Sequence, residues 1–148
     1  MAGIKGFAAT GELATGTAKK TVLQLVAAAK HRVLVKEFSI CFKGVVNTDS
    51  PILVVVASQS TAGTSSSLTL VKANISDDET LQTTAIQNAS AEPTQVSVLK
   101  SLEVHPQGSY TWQATFGEEL VINGGDRLGI AVTASANISC TASMSFEE

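Results

Sequence analysis

Charge is scarce in this 148-residue chain: Asp, Glu, Lys and Arg together make up 16% of it, against about 25% in a typical soluble domain. The net charge is −3, whereas binding a phosphate backbone calls for a concentrated basic stripe. No nucleic acid partner is expected. Histidine is nearly absent, with only His31 and His105. Nucleophilic catalysis needs a Ser or Cys beside a base and an orienting acid, and His105 precedes Pro106, where a turn is the simplest reading. Neither a nucleophile elbow nor a phosphate-binding loop occurs, because Gly63-Thr-Ser-Ser-Ser lacks the Lys-Ser/Thr ending and a following helix. The expectation is a protein that is not an enzyme.

Cysteine is limited to Cys41 and Cys140, far apart and without a second thiol or a histidine at metal-finger spacing, so no metal and no cofactor is expected. Free thiols are the reading, with a disulfide following only if the two strands are neighbours. No apolar run approaches the ~18 residues of a membrane span, and the opening Met1-Ala-Gly-Ile-Lys-Gly-Phe lacks the apolar core of a signal peptide. No membrane partner is expected, and the protein is read as made in the cytoplasm. The acids fall in sequence-adjacent groups, Asp77-Asp-Glu79, Glu118-Glu119 and Glu147-Glu148, which read as solvated turns or tails rather than paired catalytic carboxylates. A calcium site at Asn74, Asp77, Asp78 and Glu79 would need EF-hand spacing that the loop does not have.

What the chain does have is alternation. Tyr110, Trp112, Ala114 and Phe116 share one side of an extended chain; so do Leu128, Ile130, Val132 and Ala134, and then Ile138, Cys140, Ala142, Met144 and Phe146. Successive strand side chains point to opposite faces, so each run predicts an antiparallel strand with one buried face. Further strands are predicted at Lys20–Ala27, His31–Lys43, Ile52–Ala57, Leu68–Lys72, Leu81–Gln87, Val96–Val104 and Leu120–Ile122. In the second of these the apolar face switches from Val33 and Val35 to Phe38, Ile40 and Phe42, which predicts a β-bulge around Lys36 and Glu37. Ile52–Ala57 is apolar throughout and reads as covered on both faces. Turns are placed at Asn47–Pro51, Ala91–Thr94, His105–Gly108 and Gly124-Gly125-Asp126. In the last, the glycines provide positive φ and Gly129 allows another segment to approach closely.

The expected fold is all-β: an antiparallel β-sandwich of jelly-roll type with about eight to ten short strands. Residues 1–16 carry Gly3, Gly6, Gly11 and Gly16 without strong periodicity and read as an extended N-terminal arm, with the sandwich over 17–148. Such a segment would be disordered in isolation, so a neighbouring subunit is expected to hold it. Arg127 is a candidate interface anchor, since Arg is enriched in interfaces.

A set of motifs resembles a family of small phage-encoded virion proteins with a jelly-roll, tumour-necrosis-factor-like sandwich, regarded as capsid decoration or cement proteins. These motifs are Lys20-Thr-Val-Leu-Gln-Leu, Arg32-Val-Leu-Val-Lys-Glu, Ser60-Thr-Ala-Gly-Thr, Asp77-Asp-Glu-Thr-Leu-Gln-Thr-Thr, Ala91-Glu-Pro-Thr, Val104-His-Pro-Gln, Gly124-Gly-Asp-Arg-Leu-Gly-Ile-Ala-Val-Thr-Ala and Phe146-Glu-Glu. They run through nearly everything after about Ala18. The resemblance implies a homotrimeric cement subunit on the capsid surface of a virion, bound to the major capsid protein through loops and an N-terminal arm. The arm lies outside the matched motifs, and its role as a clasp is a separate expectation, with Ile4, Lys5, Phe7, Glu12 and Leu13 of the arm, together with Arg127, as candidate capsid or subunit contacts. The rival reading is a tail or head-fibre module that recognises a host surface glycan or protein.

Overall fold

The computed structural model describes residues 3–44 and 50–148. Thirteen strands follow one another: β1 Lys5–Ala9, β2 Leu13–Ala14, β3 Lys20–Val26, β4 Val33–Lys43, β5 Ile52–Gln59, β6 Thr64–Leu68, β7 Val71–Lys72, β8 Thr84–Ala91, β9 Gln95–Val104, β10 Ser109–Gln113, β11 Leu120–Ile122, β12 Arg127–Thr133 and β13 Ser139–Glu147. They form two antiparallel sheets. One runs β10-β4-β13-β1-β7, with β11 also on β4 and β2 also on β13; the other runs β6-β8-β3-β12-β5-β9. The count exceeds the eight to ten expected because residues read as an N-terminal arm supply β1 and the two-residue β2, and because β6 and β7 are separate strands. The run Leu68–Lys72 is thus not one strand: it ends β6 in one sheet and supplies β7 to the other. Of the Asn47–Pro51 turn, residues 47–49 lie outside the described residues.

The sandwich interior is filled by inward residues of both sheets. Phe38, Ile40, Met144 and Phe146 come from one side, and Leu23, Leu25, Ile52 and Ile130 from the other; all are buried. On β13 the alternation runs without a break, with Cys140, Ala142, Met144 and Phe146 inward and the intervening Ser and Thr half-exposed. On β4 the face switch is real. Glu37 pairs with Ser145 and Val35 with Phe146, which leaves Lys36 as the extra, bulged residue. That slip keeps Val33 and Val35 on the same buried side as Phe38, Ile40 and Phe42.

The expectation of one buried face per strand is corrected for β12, whose Gly129 and Ala131 are buried as well as Leu128, Ile130 and Val132. The cover is chain around Ser60–Thr61 and Glu92–Thr94, laid over the outside of the six-stranded sheet and joined by Ser60 N–H donating to the Thr94 carbonyl (2.8 Å). Beneath it the hydrogen bonds form a directed ladder. Arg127 Nη1 donates to Gln24 Oε1 (3.1 Å), Gln24 Nε2 to Gln59 Oε1 (2.6 Å), Gln59 Nε2 to Thr21 Oγ1 (3.0 Å) and Thr21 Oγ1 to Glu92 Oε2 (2.9 Å). Buried amides need such partners, because an unpaired one costs about 1–3 kcal/mol. Gly129 makes the ladder possible: a Cβ there would stand 2.1 Å from Gln59 Oε1. The close approach expected at Gly129 is thus made by the Gln59 side chain.

The largest difference from the sequence reading is at the N-terminus. The described part of the arm is extended, but it is held by its own chain. Residues Lys5–Ala9 pair along their length with Glu147–Ser143 of β13, and Gly6 and Phe7 pair on the other side with β7. Ala8 is fully buried. Close packing explains Gly3 and Gly6, where a Cβ would meet the Glu148 carbonyl oxygen at 2.1 Å and the Phe146 ring at 2.6 Å, whereas a Cβ at Gly11 would meet nothing within 4 Å. Met1 and Ala2 lie outside the described residues.

Candidate docking cleft

The bulge on β4 also organises a site. Lys36 Nζ donates to Glu119 Oε1 (3.0 Å) and lies 3.4 Å from Glu147 Oε2, while Glu147 Oε1 accepts the Gly3 N–H (2.9 Å). One ammonium thus ties β4 to β13 and to the β10–β11 connection. That connection leaves β10 with Ala114 N–H donating to the Lys36 carbonyl (2.8 Å) and turns at Thr115–Glu118, closed by Glu118 N–H to the Thr115 carbonyl (2.8 Å). Gly117, at φ 87°, provides the left-handed residue of that turn. Phe116 stands at its tip, 99% exposed.

Between this turn and β1 lies an open cleft of about 530 Å³, walled by Phe116 and Phe7 and rimmed by Lys5, Lys36, Glu119 and Glu147. Phe7 projects from the outer face of the seven-stranded sheet, 48% exposed, between Ser145 on β13 and Val71 on β7, itself 54% exposed. Two exposed phenylalanines flanking a concavity with balanced charges can grip an apolar partner surface, but they hold no reactive group.

Hydrogen bonding to Lys36 holds the Glu119 carboxyl below its ordinary value, and the Gly3 N–H followed by Lys36 does the same for Glu147. Lys36 is raised in turn, first by its bond to Glu119. Depressed carboxylates contribute stability that is present above the unfolded value near 4.5 and lost as pH falls through the folded one. The raised lysine contributes below 10.5 and loses that contribution as pH rises through its folded value. Lys36→Met should therefore shorten the acid limb of the stability profile. Thermal midpoints measured from neutral pH downwards should fall less steeply in the variant than in the parent. Parallel curves would mean that the clamp carries no pH-dependent stability.

Of the residues expected to make contacts, Lys5 and Phe7 line the cleft. Ile4 adjoins it, half-buried and exchanging backbone hydrogen bonds with Glu148 (3.0 and 2.9 Å). Glu12 is exposed and pairs with Lys43 (3.0 Å), and Leu13 packs half-buried on the core, opposite Cys140 at the other end of β13. Arg127 lies in the other sheet, committed to Gln24, so the six residues do not form one surface. Phe116 was expected inward beside Trp112. The strand instead ends at Gln113, and only Tyr110 and Trp112 turn to the core, with Trp112 stacked on Phe38 at 5.3 Å between centroids. The signal for the break was Gly117-Glu118-Glu119 directly after Phe116, a turn glycine followed by two charges.

The terminal acids also differ from a solvated tail. Besides Glu147 in the clamp, the Glu148 carboxylate accepts the N–H groups of Gln82 and Thr83 (2.7 Å each). In the Asn74–Glu79 loop, Lys72 Nζ donates to the carbonyls of Asp77 and Glu79, so an internal ammonium stands against the oxygens that a cation would seek. Among the described residues no group of three His, Cys, Asp or Glu could hold a metal ion. Cys41 faces outward and Cys140 inward on neighbouring strands, and both thiols are free. Burial pushes the Cys140 thiol up to about 11. No helix of the described residues is long and apolar enough to cross a membrane. Neither a family model nor a curated protein matches the sequence.

Proposed function

We propose that the protein is a structural virion component, a decoration or cement subunit that binds the outside of a phage head through the cleft between Phe7 and Phe116. The reading starts from the resemblance of the motifs described above. The strand order supports its finer form: β1, β13, β4 and β10 are neighbours in one sheet and β3, β12, β5 and β9 in the other. With the flanking β6 and β8 set aside, successive long strands alternate between sheets except at β5–β9, which supports the jelly-roll reading. The observation that carries the function is the 99% exposure of Phe116 at the tip of a turn clamped by Lys36. A contiguous exposed apolar patch marks a contact site; Phe116 and Phe7 line one cleft with Val71 beside Phe7, and rigidly presented aromatics serve as anchors.

Burying one phenylalanine is worth about 1.5–3 kcal/mol. A shell repeats the contact over every subunit, and a homotrimer engages several sites at once, so modest single-site affinity suffices. The partner in this reading is the major capsid protein, and the place of action is the capsid surface.

The test is cosedimentation with purified shells lacking this protein. The parent protein should pellet with the shells, and Phe116→Ser should weaken binding by about tenfold or more, the equivalent of about 1.4 kcal/mol. Phe7→Thr should weaken it similarly while keeping a β-branched residue in the strand. Since both side chains are exposed, melting of Phe116→Ser should stay within about 0.5 kcal/mol of the parent. Binding to shells unchanged in both variants would remove the cleft from the mechanism. Failure of the parent to bind shells, with retention on host surface glycan, would favour the fibre-module reading instead.

A further inference from the structure

The turn that leads from β11 to β12 crosses between sheets in four residues, Asn123-Gly124-Gly125-Asp126. It is closed by Asp126 N–H donating to the Asn123 carbonyl (2.9 Å), and it is docked by Gly125 N–H to the Ala27 carbonyl (3.1 Å) and Ala27 N–H to the Asp126 carbonyl (3.1 Å). Packing demands a glycine at 124, because a Cβ there would lie 2.4 Å from the Lys30 backbone nitrogen. Backbone conformation demands one at 125, where φ is 86°. The fold therefore requires Asn123 to be followed by the one residue whose amide nitrogen is unshielded by a side chain.

We propose that Asn123 is a site of spontaneous covalent modification, converting through a cyclic imide to aspartate and isoaspartate. The Gly124 nitrogen attacks Asn123 Cγ and gives up its proton to solvent. The new C–N bond closes a succinimide, and the bond between Cγ and Nδ2 of Asn123 breaks to release ammonia. Water then opens the ring at either carbonyl, so the net change is one amide plus water to one carboxylic acid plus ammonia, with no oxidant or cofactor. Both reacting groups are accessible. Asn123 and Gly124 are exposed, and among the described residues neither the Asn123 side chain nor the Gly124 N–H makes a hydrogen bond.

The other described asparagines are protected twice. Asn74, Asn88 and Asn137 precede Ile75, Ala89 and Ile138, whose side chains crowd the attacking nitrogen. Each also uses its Oδ1, accepting from the Ser76 N–H (3.2 Å), Lys20 Nζ (3.0 Å) and the Gly16 N–H (2.9 Å) respectively. The aspartate product makes the net charge one unit more negative. The isoaspartate product lengthens the backbone inside a turn whose closing bond uses the Asn123 carbonyl.

Ageing the folded full-length protein in mildly alkaline buffer, followed by tryptic mapping with mass spectrometry, tests the assignment. The peptide between Lys100 and Arg127 contains Asn123 as its only asparagine. Conversion should concentrate in that peptide, and the major acidic species should be lost in Asn123→Ser. A urea-unfolded sample provides the reference. Conversion spread equally over the peptides of Asn74, Asn88 and Asn137 in the folded protein would overturn the proposal. So would an intact Asn123 in the folded protein after the unfolded sample has converted.

Discussion

Removing residues 1–16 is expected to unfold the protein rather than merely release an arm. The deletion takes away β1, which pairs with β13 over five residues from Lys5 to Ala9. At about 1 kcal/mol net for each ladder hydrogen bond, the loss is about 5 kcal/mol. It also removes the buried Ala8 and uncovers the Phe146 ring under Gly6. Domains of this size hold about 5–15 kcal/mol in all, so the truncated protein should lose most of its cooperative unfolding transition. Urea unfolding followed by tryptophan fluorescence reads this directly through Trp112. A truncated protein with an unchanged midpoint would show that β13 can stand as an edge and would restore the independent arm. The same result would also decide how shell-binding data on truncations should be read, since an unfolded protein fails to bind for trivial reasons.

Phe38→Ala should cost about 3–5 kcal/mol, the usual range for emptying a fully buried aromatic site. Phe38 is 1% exposed, sits opposite Met144 and Trp112 on its two neighbouring strands, and has Tyr110 at 6.1 Å as well as Trp112 at 5.3 Å between ring centroids. These partners are pinned by strand pairing, so the cavity cannot collapse. Trp112→Ala should cost less than Phe38→Ala, because Trp112 is only half-buried at the sheet margin. Linear extrapolation of denaturant curves measures both. A Phe38→Ala cost below about 1 kcal/mol would mean that the two sheets are not closed around it.

Much of the sandwich could be read from residues because strand period is two and the core is one-sided. The switch of apolar side between Val35 and Phe38 is enough to locate the bulge at Lys36, and Gly124-Gly125 enough to locate the turn. What could not be read depends on partners distant in sequence. Gly6 and Ala8 carry no hydrophobic signal of their own, and their strand exists because Ser143–Glu147 offers a free edge. Ala131 looks like a solvent-facing position, and the group that approaches Gly129 has no local signal, until the Gln24–Gln59 ladder and the segment covering it are in place. The cleft was half legible. Lys5 and Phe7 were singled out as arm residues, but Phe116 was assigned to the core by extending an alternation past the end of its strand at Gln113. The clamp of Lys36 with Glu119 and Glu147 joins three segments that nothing local connects.

In the proposed function, the protein works by contact through the Phe7–Phe116 cleft on a viral shell. Reconstruction of an intact particle decorated with the protein tests it most directly. Density for three copies together over capsomer joints is expected, with the Phe116 turn and the outer face of β1 against the capsid. Density at a tail tip, or a cleft open to solvent while another face meets the shell, would contradict it.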